Sequence, residues 1–188
     1  MKRVLIVMVR GILFATLIVF STSSIFAVSK DDLANRFAEI LKFNATNIEN
    51  QKLTYETKVT SLFIRSSKEN SIDLTMLIAY NEILTKTART LTKHKVTPLI
   101  FSVSSMPFIE THFDPASVCF EQDSVRWFPK ADESAFDMFP LGDDTNFGGV
   151  LNDSELQQGV VLLPGIFDVS KPLKITYKNF KKLVCLGR

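Results

Sequence analysis

Apolar residues fall with two different periods along the chain. Leu33, Phe37, Ile40 and Leu41 recur at helical spacing and predict one buried helical face. Ser29 opens S-K-D-D just before it, a capping box with Asp in place of the usual Glu or Gln. Asn44 and Asn47 loosen the far end. A second stripe, Met76, Leu77, Tyr80, Ile83, Leu84, Ala88 and Leu91, predicts a longer helix capped by Ser71. Between the two, Ile48, Tyr55, Val59, Leu62 and Phe63 fit a helix. Leu53, Tyr55, Thr57, Val59, Ser61 and Phe63 equally alternate as a strand, with frequent Thr on its side. The lack of a turn residue before Ser66 tips the preference to helix.

Beyond Pro98 the period is two. Residues 99–103, 108–113, 118–121, 125–128, 160–163, 173–177 and 183–186 read as seven short strands. Leu173, Ile175 and Tyr177 point one way and Lys174, Thr176 and Lys178 the other, so that strand has one solvated face. Punctuation changes at the same place. Val28 to Thr97 contains neither Pro nor Gly, whereas all seven prolines and six of the seven glycines lie at or beyond Pro98. Both residues break helices and mark turns. These patterns predict an α+β chain with a helical segment over 28–95, followed by an antiparallel β-sandwich over 96–188. Ten of the sixteen Phe residues and the single Trp fall in the second part, as core. Its strand spacing resembles immunoglobulin-like accessory modules of exported proteins, a resemblance of architecture that assigns no residue a role.

Residues 1–27 stand apart. Lys2 and Arg3 precede an apolar run strongest from Gly11 to Phe20, then a small polar stretch and Ala27. That is the three-part plan of a signal peptide. The alternative is an uncleaved anchor over residues 4–28, long enough to cross roughly 30 Å of hydrocarbon, with Arg10 inside the span. Either reading places the rest of the chain outside the cytoplasm, in the periplasm or secreted. It also changes the charge. The formal +2 of the whole chain becomes −1 once Lys2, Arg3 and Arg10 are set aside. The remainder divides into +3 over 28–95 and −4 over 96–188, which gives no basic footprint for nucleic acid.

Candidate chemistry is sparse. Glu110, His112 and Asp114 lie two apart, so a strand would put all three on one face as ligands for a divalent metal. His94 is the only other His, and the competing reading is a polar, water-facing strand. Residues 131–155 hold seven acidic residues and no basic one. Asp143, Asp144 and Asn146 there could offer oxygens to calcium, although EF-hand spacing is missing and an acidic surface loop is the preferred reading. Cys119 and Cys185 could bridge outside the cytoplasm or remain two thiols on separate strands. Lys171, Lys174, Lys178, Lys181, Lys182 and Arg188 make the C-terminus basic, mostly as an exposed strand face. Asn44 and Asn152 begin glycosylation acceptor triplets. No phosphate-binding glycine loop, nucleophile elbow or zinc-binding Cys/His cluster is present, and no cofactor is implied. The resulting expectation is an exported, non-catalytic protein that binds a protein partner or itself, touching membrane only through residues 1–27 if they are retained. A metal-binding protein or metal-dependent enzyme centred on Glu110, His112 and Asp114 is the alternative.

Overall fold

The computed structural model describes residues 28–46, 57–65, 72–131, 136–141 and 146–187. The expected signal segment, Asp143, Asp144 and Arg188 lie outside them. Helix α1 (Lys30–Thr46) begins as its cap predicts. The Asp32 N–H donates to Ser29 Oγ at 3.0 Å, and the Ser29 N–H donates to the Asp32 carboxylate at 3.3 Å. Leu33 and Phe37 are fully buried, with Ile40 and Leu41 packed beside them.

The helical half expected over 28–95 is not what forms. Strands β1 (Thr57–Arg65) and β2 (Ile72–Asn81) pair antiparallel, with Thr57 opposite Asn81 and Ile64 opposite Leu74. Only Glu82–Thr92 of the second predicted helix is helical, as α2. The misreading has a physical source. Met76, Leu77 and Tyr80 suit a helical stripe, yet Leu74, Met76 and Ile78 also alternate, and packing of that face against the second sheet buries those three completely. Leu77 consequently faces outward, 42% exposed.

The change from strand to helix is fixed at Asn81. Its backbone is extended and its side-chain oxygen accepts the Leu84 N–H at 3.1 Å, so Asn81 and not Ser71 caps α2. On the neighbouring strand, β3 (Val96–Ser105), the ladder to β2 stops at Leu99. The next residue is Pro98, which has no N–H to offer that side.

All seven strands expected after Pro98 are present with adjusted ends. They are β3, β4 (Thr111–Phe113), β5 (Cys119–Gln122), β6 (Val125–Trp127), β9 (Leu156–Pro164), β10 (Leu173–Tyr177) and β11 (Phe180–Val184). Two short strands, β7 (Met138–Pro140) and β8 (Gly149–Leu151), add to them. The strands form three antiparallel sheets, ordered β1-β2-β3-β9-β7, β11-β10-β5-β6 and β4-β8. The immunoglobulin-like sandwich is thereby corrected. The sheets do not close into a sandwich, and the largest one takes β1 and β2 from the part read as helical. A β-rich fold is what the sequence reading and the structure share.

One apolar cluster fills the space between the larger sheets. It joins Leu74, Met76 and Ile78 of β2, Leu99, Phe101 and Val103 of β3, and Val161 and Leu163 of β9 to Phe120, Ile175 and Tyr177. The Phe101 and Phe120 rings meet edge-on across it at 6.4 Å. Gly159 lies directly under the Phe147 ring, where a Cβ would come within 2.3 Å of it. A second cluster lies on the other face of the five-stranded sheet. There α1 and α2 cover Ile100, Phe139, Val160 and Leu162 with Leu33, Phe37, Leu84 and Ala88.

Candidate functional site

The end of α2 and its turn into β3 border a surface cleft. Lys93 ends the helix in the left-handed region, φ 56°, with its N–H donating to the Arg89 carbonyl at 3.0 Å. The Val96 N–H then donates to the His94 carbonyl, turning the chain straight into β3. Arg89 ties the turn down, its Nε donating to the Val96 carbonyl at 3.0 Å and its Nη2 to Thr97 Oγ1 at 3.3 Å. Gly165, after β9, lets the backbones approach, since a Cβ there would fall 2.3 Å from the Lys95 carbonyl oxygen.

Between this turn and the ends of β9 and β7 lies a cleft of about 320 Å³. Leu91, Val96, Leu162 and Pro164 form its floor and walls, with Val28 and Phe136 on the flanks. Thr92, Lys93, His94 and Asp137 supply the polar rim. The Asp137 carboxylate already accepts the Lys130 N–H at 2.9 Å, and the Asp137 carbonyl accepts the Leu162 N–H at 2.8 Å. Lys93 and His94 are both exposed at the mouth. An apolar body with a polar edge that pairs with the Lys93 ammonium matches this arrangement, because the walls desolvate it and Lys93 orients it, while the Asp137 carboxylate is held by the Lys130 N–H. A smaller cavity, about 150 Å³ and lined by apolar side chains, already accepts benzene in other proteins.

The residues singled out from sequence are placed elsewhere. Strand β4 is only three residues long, so Glu110 precedes it, His112 is on its exposed side and Asp114 follows it. Asp114 instead caps a 3-10 turn over Pro115–Ser117, accepting the Ala116 N–H at 3.0 Å and the Ser117 hydroxyl. Among the described residues no three His, Cys, Asp or Glu side chains come together as a metal site. Cys119 is buried and Cys185 exposed, and both are free thiols. The register explains their separation. Cys119 lies opposite Thr176, whereas Val184 lies opposite Leu173, at the other end of β10. Three residues of strand are roughly 10 Å, beyond the Cα separation of about 7 Å that a disulfide tolerates.

The basic C-terminal strand face is partly neutralised. Lys174 pairs with Glu121 at 3.0 Å, and Lys178 Nζ donates to the His112 carbonyl at 3.3 Å. Tyr177 is the main tie between that strand and β4. Its hydroxyl accepts the Asp114 N–H at 3.1 Å and donates to the His112 carbonyl at 3.4 Å. Burial pushes its phenol pKa above the usual value.

Sequence reading missed the cleft because its walls come from four separated stretches. The run Thr92-Lys93-His94-Lys95 after an apolar stripe was the one local signal for it. Among the described residues no helix is long and apolar enough to cross a membrane. Comparison with protein-family models, curated proteins and solved structures finds no match.

Proposed function

We propose that the chain is a non-catalytic binding protein acting outside the cytoplasm, and that it holds its partner in the cleft at the end of α2. The observation carrying this reading is the cleft itself, apolar inside with Lys93 and His94 at its mouth. Export is supported by the basic start, apolar run and small residues of positions 1–27. Cleavage after Ala27 would leave Val28, a flank of the cleft, as the first residue.

Titration with 1-anilinonaphthalene-8-sulfonate, an apolar aromatic with one anionic group, tests the cleft. Saturable binding of one probe per chain is expected, and Phe136→Asp abolishes it by placing a negative charge on the apolar flank, against the anionic probe. No saturable binding, or binding indifferent to Phe136→Asp, removes the proposal. Intact-mass measurement of the native protein tests export separately. A mass corresponding to residues 28–188 supports processing, and retention of residues 1–27 favours the anchored alternative.

A further inference from the structure

Phe108 combines two unusual properties. It is 94% exposed, the most exposed of the large apolar side chains described, and its φ is +63°. Left-handed backbone suits Gly or Asn and is uncommon for a bulky residue. The conformation is imposed from two directions. The Ile109 N–H closes a turn onto the Met106 carbonyl at 3.2 Å, with Pro107 ahead of Phe108. The Phe108 N–H donates to the Asp153 carboxylate at 2.8 Å.

Asp153 belongs to a second turn that braces the first. Its Glu155 N–H donates to the Asn152 carbonyl, and the Glu155 carboxylate accepts the Asn152 N–H at 3.0 Å. Ser105 binds the same turn through its N–H to the Glu155 carbonyl and its hydroxyl to the Asn152 carbonyl. A fully presented aromatic ring, held in a strained backbone by two interlocked turns, is a rigid anchor with no partner among the described residues. The Asp153 carboxylate at its backbone N–H gives the tip a negative charge. The backbone N–H of Asn152 and the Gln157 amide hold the Glu155 carboxyl below its usual pKa.

The tip and the cleft are complementary. One is aromatic beside the Asp153 carboxylate, the other apolar with Lys93 at its mouth. They also sit at opposite ends of β3, which runs from Val96 at the cleft to Ser105 beside the tip. Ten residues of strand span roughly 33 Å, so a chain cannot fill its own cleft. We propose that Phe108 of one copy docks in the cleft of another, a head-to-tail contact of a kind that propagates into chains or closes into rings. The proposal rests on the cleft being a binding site and names its occupant as a second copy of this chain. Burial of one aromatic side chain is a small contact, so the association is weak and weakens further as salt screens the Asp153 and Lys93 charges.

Sedimentation velocity on the native protein, from micromolar to millimolar, tests this. Concentration-dependent species larger than dimers are expected. Phe108→Gly removes the plug and should weaken association about tenfold or more. Gly fits φ +63° without strain, so the same variant should unfold at a higher temperature, which separates a lost contact from a lost fold. Phe136→Asp should weaken association equally, by spoiling the cleft and repelling the Asp153 carboxylate of the tip. Mixing the two variants is the decisive arm: the intact tip of one and the intact cleft of the other should give a heterodimer and nothing larger. Wild-type protein that stays monomeric, Phe108→Gly that associates normally, or a mixture without heterodimer overturns the proposal. If the sulfonate probe still binds in any of those cases, the cleft survives as a binding site and only its occupant was misassigned.

Discussion

The two faces of the five-stranded sheet are built on different terms. The face toward the second sheet is apolar through its middle, with Leu99, Phe101 and Val103 of β3 all buried. The opposite face of the same strand changes character, from Ile100 beneath the helices to Ser102 and Ser104 beyond them. Strand β9 repeats the change. Val160 and Leu162 lie under α1 and α2, while Gln158 bonds Ser102 at 3.0 Å and Leu156 is 54% exposed. A sheet face therefore needs to be apolar only where another layer excludes water from it. The cleft forms at the margin of the helical cover.

Four measurements sharpen that contrast, taken from the largest effect to the smallest. Phe101→Ala removes a ring fully buried between the sheets, in contact with Phe120 and Phe147. It should cost about 3–5 kcal/mol in urea unfolding and lower the midpoint for the whole protein. Phe37→Ala, in the helical layer, should cost about 3 kcal/mol, the low end of the same range. Among the described side chains of α1, only Leu33 and Phe37 are fully buried. Hydrogen exchange should then rise in α1 first, while β3 and β10 stay protected. Equal exchange in both layers would mean that the two faces unfold as one unit.

Asn81→Ala removes the cap where β2 passes into α2 and should cost about 1 kcal/mol. Circular dichroism should show fraying of α2 with the sheets intact. The smallest effect concerns pH. The Tyr177 phenol is raised by burial, so the folded state holds that proton more tightly than the unfolded chain. Its contribution is complete below the ordinary tyrosine pKa and declines as pH rises through the folded value. Unfolding measured from neutral pH to above about pH 10 should show stability falling with alkalinity, with a shallower slope in Tyr177→Phe. An unchanged slope would assign the decline to other groups.

Local reading succeeded where one short stretch contains the whole instruction. The reciprocal bonds of Ser29 and Asp32, and the alternation of Leu173, Ile175 and Tyr177, emerge as their residues suggest. It failed over residues 57–81, because Met76, Leu77 and Tyr80 fit a helical stripe while Leu74, Met76 and Ile78 fit alternation, and neither Pro nor Gly separates β1 from β2. The metal arrangement of Glu110, His112 and Asp114 presumed a strand through all three. Asp114 instead spends its carboxylate on capping a turn, a competing use that alternation cannot display.

What the sequence by itself determined is a set of local states: where α1 starts, which side of β10 is buried, and that the chain after Pro98 is strands and turns. Tertiary structure decided which period prevailed between Thr57 and Asn81, since a strand is stabilised by neighbours that the segment does not contain. It also kept Cys119 and Cys185 apart, through register along β10. The cleft likewise exists only in the fold. Leu91, Phe136 and Leu162 acquire a shared surface when the end of a helix, the flank of β7 and the end of β9 meet, and no spacing along the chain records that meeting.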